Sequence, residues 1–101
     1  MAKRKNLSNS DITYKMLVDA GYSLDSEGRV LGKRGQLLKP SYVAGNYRSI
    51  SLGFGDLGLC TGFRYHRAVW MLDNQQDIPA GHQIDHINRV PYDNRPENLQ
   101  L

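Results

Sequence analysis

The sequence predicts an α+β fold: a short N-terminal helix, a small antiparallel β module, a second helix, and two short strands joined by a turn-rich loop. Three observations predict it. Ile12, Met16, Leu17 and Ala20 recur at helical spacing. Asn46 to Leu52 alternates Tyr47, Ser49 and Ser51 with Arg48, Ile50 and Leu52, the period of a strand. Between such segments lie dense clusters of Gly, Pro, Asn and Asp, which break regular structure every few residues.

The first helix is expected from about Asn9 to Ala20. Ser8 and Asp11 resemble a capping box with Asp in place of Glu, and Gly21 stands where a helix-ending glycine belongs. Its apolar stripe reads as core before it reads as a partner-binding face. Tyr22-Ser23-Leu24 and Arg29-Val30-Leu31 flank Asp25-Ser26-Glu27-Gly28, a hairpin with Gly in the turn. Leu37-Leu38-Lys39 is read as a strand that Pro40 ends, because Pro lacks the N–H a ladder needs. Gly53 to Gly58 is glycine-dense but lacks the Gly-Lys-Ser/Thr ending of a phosphate loop, so it reads as a hairpin connection. Thr61 to Tyr65 returns as a strand. His66 to Asn74 reads as a helix with Val69, Trp70 and Leu72 inward. Pro79 and Gly81 force a turn, Gln83-Ile84-Asp85 is a short strand, and Ile87 to Glu97 holds Pro91, Asp93, Asn94 and Pro96 and must be a loop. Asn98 to Leu101 is the last strand.

Composition bounds the function. At 101 residues the chain can bury a small core, and 40% hydrophobic with 23% charged residues describes a folded domain and not a disordered one. The net charge of +3 permits a polyanionic partner. Lys3, Arg4 and Lys5 read first as a solvated tail and second as an arm that contacts DNA. No apolar run follows them, so they do not begin a signal peptide, and no stretch reaches the length of a membrane span. Cys60 is alone, which fits a reducing cytoplasm and leaves no Cys pair for zinc.

Three histidines, His66, His82 and His86, invite a zinc reading. On a strand, however, His82 and His86 would stand roughly 13 Å apart, too far to share one ion. Asp85-His86 followed by Asn98 is the stronger candidate. A carboxylate can hold a divalent cation, an imidazole titrating near pH 6.5 can take a proton from water, and an Asn can fix the ring by hydrogen bonding. The plain alternative is a strand-end Asp beside a packed His.

The surroundings of that pair favour chemistry. His66-Arg67-Ala68-Val69-Trp70, Ile78-Pro79-Ala80-Gly81, Asp85-His86-Ile87-Asn88 and Asp93-Asn94-Arg95-Pro96-Glu97-Asn98-Leu99 together resemble the motifs of HNH endonucleases, in the ββα-metal branch common in bacteriophages. Tyr22 to Val30, Leu37-Leu38-Lys39-Pro40 and Tyr47 resemble the β-rich module that often precedes the nuclease. The resemblance implies a division into residues 1–58, a helix and β module that contacts DNA, and residues 59–101, the nuclease core. It implies His86 as general base, Asp85 as ligand of one divalent metal, magnesium or alternatively manganese, and Asn98 as the residue that orients His86. His66 and Arg67 are expected in packing and phosphate contact. Asp93 and Asn94 are expected to shape the loop through bonds to the backbone. Arg95 either touches a phosphate or pairs with Asp93.

In the family a helix follows the second strand and supplies a further metal ligand, a His or an Asn, whereas this sequence stops at Leu101. The resemblance therefore implies a ββα-metal core lacking its C-terminal helix, with apolar residues near Leu99 and Leu101 uncovered and weak cutting by the chain as it stands. A second copy of the chain covering that edge is one expectation. The partner is expected to be double-stranded DNA, met by Lys33, Arg34, Arg48, Arg67 and Arg95, with Lys39 adding charge. The readings are a phage-encoded, metal-dependent DNA endonuclease in the host cytoplasm and, alternatively, a catalytically impaired DNA-binding protein on the same scaffold. A plain structural protein would leave Asp85, His86 and Asn98 unexplained.

Overall fold

The computed structural model describes residues 12–42, 48–54, 59–90 and 93–101. In chain order it contains α1 (Tyr14–Asp19), β1 (Ser23–Leu24), β2 (Val30–Leu31), β3 (Ser41–Tyr42), β4 (Arg48–Phe54), β5 (Leu59–Arg64), α2 (Tyr65–Asn74), β6 (Asp85–His86), a 3-10 turn (Pro96–Asn98) and β7 (Leu99–Gln100). This is a small mixed α/β fold with short antiparallel sheets.

Helix α1 is shorter than the apolar spacing suggests. Ile12 and Thr13 are not helical, and Thr13 is the N-cap, its hydroxyl accepting from the Met16 N–H at 3.1 Å. A hydroxyl at this position satisfies an end N–H that has no partner within the helix. Ser8 and Asp11, like Lys3, Arg4 and Lys5, lie outside the described residues. Leu17 is fully buried, and the helix packs against α2.

β1 and β2 form the expected hairpin, with Leu24 opposite Val30. The Asp25 carboxylate accepts from the backbone N–H groups of Glu27 and Arg29, so the turn is closed by a side chain. Leu37 makes a single bridge to Leu31, and the strand expected at Leu37 to Lys39 does not extend further. The pairing strand lies beyond Pro40 instead, as β3, where Ser41 and Tyr42 meet Ser49 and Arg48. Proline blocks pairing at its own position, not at the next residue.

β3, β4 and β5 form a three-stranded antiparallel sheet in that order. Along β4, Ile50, Leu52 and Phe54 are buried, the period-two pattern of a sheet with one covered face. The glycine-rich connection at 55–58 lies outside the described residues; Phe54 and Leu59 pair on either side of it. β5 runs directly into α2, which packs on β1, β4, β5 and β7. Tyr65, Ala68, Val69, Trp70 and Met71 are buried and Leu72 is half-buried, so the helix presents a broad apolar face to a core shared with Leu17, Val30, Leu52, Phe63, Ile84 and Leu99.

Two tyrosine hydroxyls tie the elements together, one within the β module and one between it and α2. The Tyr65 hydroxyl accepts from the Val30 N–H at 2.9 Å, and the Tyr22 hydroxyl accepts from the Gly53 N–H at 2.7 Å. The hairpin turn also abuts the C-terminal loop. A Cβ on Gly28, whose φ is +78°, would stand 2.4 Å from Pro96 Cδ, so glycine is required there for space and for backbone angle. Among the described residues no helix is long and apolar enough to cross a membrane.

Candidate active site

β6 and β7 carry the site. Asp85 pairs with Gln100 and His86 with Leu99 in antiparallel register. The strands are shorter than expected and offset. The first is Asp85–His86, not Gln83 to Asp85, and Asn98 closes the 3-10 turn just before β7. Leu99 is buried in the core, so it is not uncovered as its place near the chain end suggested, while Leu101 is 44% exposed. The offset puts both members of the pair at the mouth of the loop, with Asp85 exposed to solvent and His86 half-buried.

The loop from Ile87 to Asn98 is held by its own side chains. Asn98, only 6% exposed, is its hub. Asn98 Nδ2 donates to Asn88 Oδ1 at 2.9 Å and to the Asp93 carbonyl at 2.8 Å, and Asn98 Oδ1 accepts from the Asn88 N–H at 3.1 Å. Both ends of the loop are thereby fixed to one buried amide. Backbone bonds add to this: Ile87 N–H to the Asn98 carbonyl at 2.8 Å, and Arg89 N–H to the His86 carbonyl at 2.9 Å. Arg89 adopts φ +62°, a left-handed turn directly after the strand.

Asp93 is equally committed to the loop. Its carboxylate accepts from Arg95 Nε at 2.7 Å and from Asn88 Nδ2 at 2.7 Å. The Arg95 guanidinium, then the Asn88 amide, hold the Asp93 carboxyl at about 2, well below the usual carboxylate range. Between the two roles open to Arg95, the structure pairs it with Asp93, with Glu97 a further 3.6 Å contact.

Asn94 departs from expectation. Among the described residues its side chain makes no hydrogen bond to the backbone; Asn94 Oδ1 lies 2.7 Å from His86 Nε2. The ring is therefore held by Asn94, and Asn98 acts on it at one remove, by fixing Asp93 and Asn88 in the loop that presents Asn94. The His86 ring also lies against His66, with centroids 5.0 Å apart and planes tilted by 48°. His66 is 9% exposed, at the start of α2. Burial, and then the neighbouring His86, Arg67 and Arg64, lower its pKa to about 4, so it is neutral at neutral pH.

Arg67 is half-buried, with its guanidinium carbon 5.8 Å from the centre of the Phe63 ring. Burial lowers its pKa, and its Nε has no hydrogen-bond partner among the described residues. It lines a cavity of about 240 Å³ with Met71, Pro79, Gly81 and His82. His82 is exposed, as expected for a loop His. Lys33, Arg34 and Lys39 are exposed and make no ion pair among the described residues. Arg48 is half-buried and lines a second cavity of about 340 Å³ between the β module and the loop, with Tyr65, Asn94 and Arg95.

The donor set can be tested against a divalent cation. Asp85 offers one exposed carboxylate beside His86, and no group of three or more His, Cys, Asp or Glu gathers among the described residues. That set does not suit zinc, which takes three or four protein ligands. It suits a hard cation that keeps several waters and is held by one or two carboxylates plus substrate phosphate.

A helix, a half-buried His held by a loop amide, and a carboxylate beside it at the mouth of two short antiparallel strands make up the candidate site. Residues 63–101 match the family model described as HNH endonuclease. A solved structure describing DNA binding and cleavage by the HNH homing endonuclease I-HmuI matches with a TM-score of 0.60 and 27% identity, over 77% of this chain and 44% of that one. No curated protein sequence gives a significant match. Residues 63–101 thus resemble the HNH endonuclease family, and the fold around them resembles that of an HNH endonuclease. Nucleases of this family generally use a divalent metal ion. The chain spans less than half the length of I-HmuI.

Proposed function

We propose that this chain carries the active site of a metal-dependent endonuclease acting on double-stranded DNA, encoded by a bacteriophage and working in the host cytoplasm. The observation that supports it best is the pair Asp85-His86, with the ring of His86 held by Asn94 in the segment that matches the HNH family.

The reaction is hydrolysis of a phosphodiester. An amide oxygen can only accept, so the contact with Asn94 Oδ1 places a proton on His86 Nε2 and the basic lone pair on Nδ1. His86 takes a proton from water as the water oxygen bonds to phosphorus, and the bond to the 3′ oxygen breaks. Asp85 would hold the divalent cation, magnesium or manganese, which when bound offsets charge on the phosphoryl and departing oxygens. His66, neutral and packed on the ring, keeps one face of His86 dry without adding charge. Arg67 contacts a phosphate, where its partly desolvated guanidinium finds the acceptor that its Nε lacks. Lys33, Arg34 and Lys39 supply sequence-independent attraction to the duplex.

The test is nicking of supercoiled plasmid by the full chain and by His86→Ala and Asp85→Ala, with magnesium and with chelator. Cutting that needs the metal and is lost in both variants, with DNA binding kept in His86→Ala, is the expected result. Metal-dependent cutting that His86→Ala leaves intact would put the site elsewhere. The single carboxylate beside His86 favours one alternative, a DNA-binding protein impaired in cutting. Salt-dependent binding without cutting at any metal concentration would decide for it.

A further inference from the structure

We propose that Asn94 is the positioning residue for His86, fixing its tautomer and ring orientation through the side-chain amide oxygen. This rests on the reading of His86 as the base. Three features of the loop carry it. The contact is short, at 2.7 Å between Asn94 Oδ1 and His86 Nε2. Four neighbouring side chains are engaged elsewhere: Asn98 with Asn88 and the Asp93 carbonyl, and Asp93 with Arg95 and Asn88. The His66 ring lies against the same ring, with centroids 5.0 Å apart, and is a poor source of an opposing charge.

The geometry has a chemical consequence. A neutral imidazole has one N–H and one lone pair, and the partner of one nitrogen dictates the role of the other. An amide oxygen facing Nε2 selects the Nε2–H form, and Nδ1 is then the nitrogen that receives a proton. Loss of that oxygen removes the hydrogen bond that favours the Nε2–H form. Asn94 sits immediately after Asp93, whose carbonyl and carboxylate are both anchored, so the amide has little freedom to leave the ring. Asn94 also lines the 340 Å³ cavity against the β module, so the wall formed by Arg48 and Tyr65 borders the same amide.

The experiment reads the tautomer directly. ¹⁵N chemical shifts of the His86 ring distinguish Nε2–H from Nδ1–H without any turnover. In the parent chain the Nε2–H pattern is expected; in Asn94→Ala it should give way to a mixture, and in Asn94→Asp, which keeps an oxygen at the same place, it should persist. Nicking kinetics are the second arm. Asn94→Ala should lower kcat on the order of 10- to 100-fold, as loss of such supporting contacts to a histidine does elsewhere, with KM for DNA unchanged and substantial recovery in Asn94→Asp. The Asn88 amide resonance, which reports the bond to Asn98, shows whether the loop is intact in each variant. A His86 tautomer and kcat indifferent to Asn94→Ala overturn the proposal. So does an Nδ1–H pattern in the parent chain, because the amide NH₂ would then be the working group. A tautomer that follows Asn94 in a chain that never cuts DNA upholds this contact and refutes the nuclease reading instead.

Discussion

Replacing Asn98 by Ala should separate the scaffold of the site from its chemistry. The side chain makes three hydrogen bonds, at 2.9, 2.8 and 3.1 Å, and is 6% exposed. A typical bond of this kind contributes about 1 kcal/mol net, and an orphaned buried partner costs about 1–3 kcal/mol. Asn88 is exposed, so water can replace two of the three bonds. The Asp93 carbonyl has less access to water, and its loss sets the larger share. The sum is about 2–3 kcal/mol of native stability, which for a domain near this size corresponds to a fall in Tm of about 10–20 °C. Thermal unfolding followed by circular dichroism measures it. The loop should loosen with it, so the His86 ring should lose its fixed tautomer as a secondary effect. Asn94→Ala, by contrast, removes one half-buried contact and should lower stability by no more than about 1 kcal/mol while disturbing the ring as much. An Asn98→Ala protein with an unchanged Tm, or an Asn94→Ala protein that is the less stable of the two, would refute the reasoning that makes Asn98 the hub and Asn94 the ring contact.

Three further outcomes follow from the same structure. Gly28→Ala combines a left-handed φ with a Cβ 2.4 Å from Pro96 Cδ, so it should destabilise by about 2–4 kcal/mol and shift the resonances of residues 93–98; a neutral effect in denaturant melts would contradict the packing of hairpin on loop. Lys33→Ala and Arg34→Ala should each weaken duplex binding on all sequences alike and reduce the slope of log K against log salt by about 0.9, whereas Arg95→Ala, already paired with Asp93, should change the slope less; equal slopes for all three variants would place the DNA elsewhere. Because the Asp93 carboxyl is held at about 2 in the folded chain, its contribution is complete above the ordinary carboxylate range and is lost as pH falls through about 2. Loop amide resonances should therefore hold through the ordinary carboxylate range and move only as pH approaches about 2, and Asp93→Asn should remove that acid-side dependence; loosening that begins near neutral pH would point to a different group.

Much of this fold is legible in the residues because it depends on local patterns. The alternation of Ile50 and Leu52 with polar neighbours marks most of β4, and Val69, Trp70 and Leu72 mark α2, since each period is set by one backbone geometry. What escapes is set by tertiary contacts. The N-terminus of α1 is capped by Thr13, and pairing after Pro40 depends on where β4 lies. The site divides the same way. Asp85, His86 and Asn98 are visible as residue types in a characteristic order. Which of the loop's amides reaches the ring is not, because Asn88, Asn94 and Asn98 are chemically alike and the choice follows from how the loop closes. The packing of His66 on His86 likewise joins two elements twenty positions apart, with no local signal beyond the histidine itself. The two tyrosine hydroxyls that bind Val30 and Gly53 could have been suspected only from the rule that buried hydroxyls seek partners.

The central claim is that His86 activates water to displace a 3′ oxygen in DNA. Cleavage of a defined duplex in ¹⁸O-labelled water, followed by mass analysis of the product ends, tests it most directly. The account predicts one labelled oxygen in a 5′-phosphate and an unlabelled 3′-hydroxyl, formed with magnesium and absent with His86→Ala. A 3′-phosphate, a 5′-phosphate without label, or the same labelled product from the His86→Ala chain would contradict it.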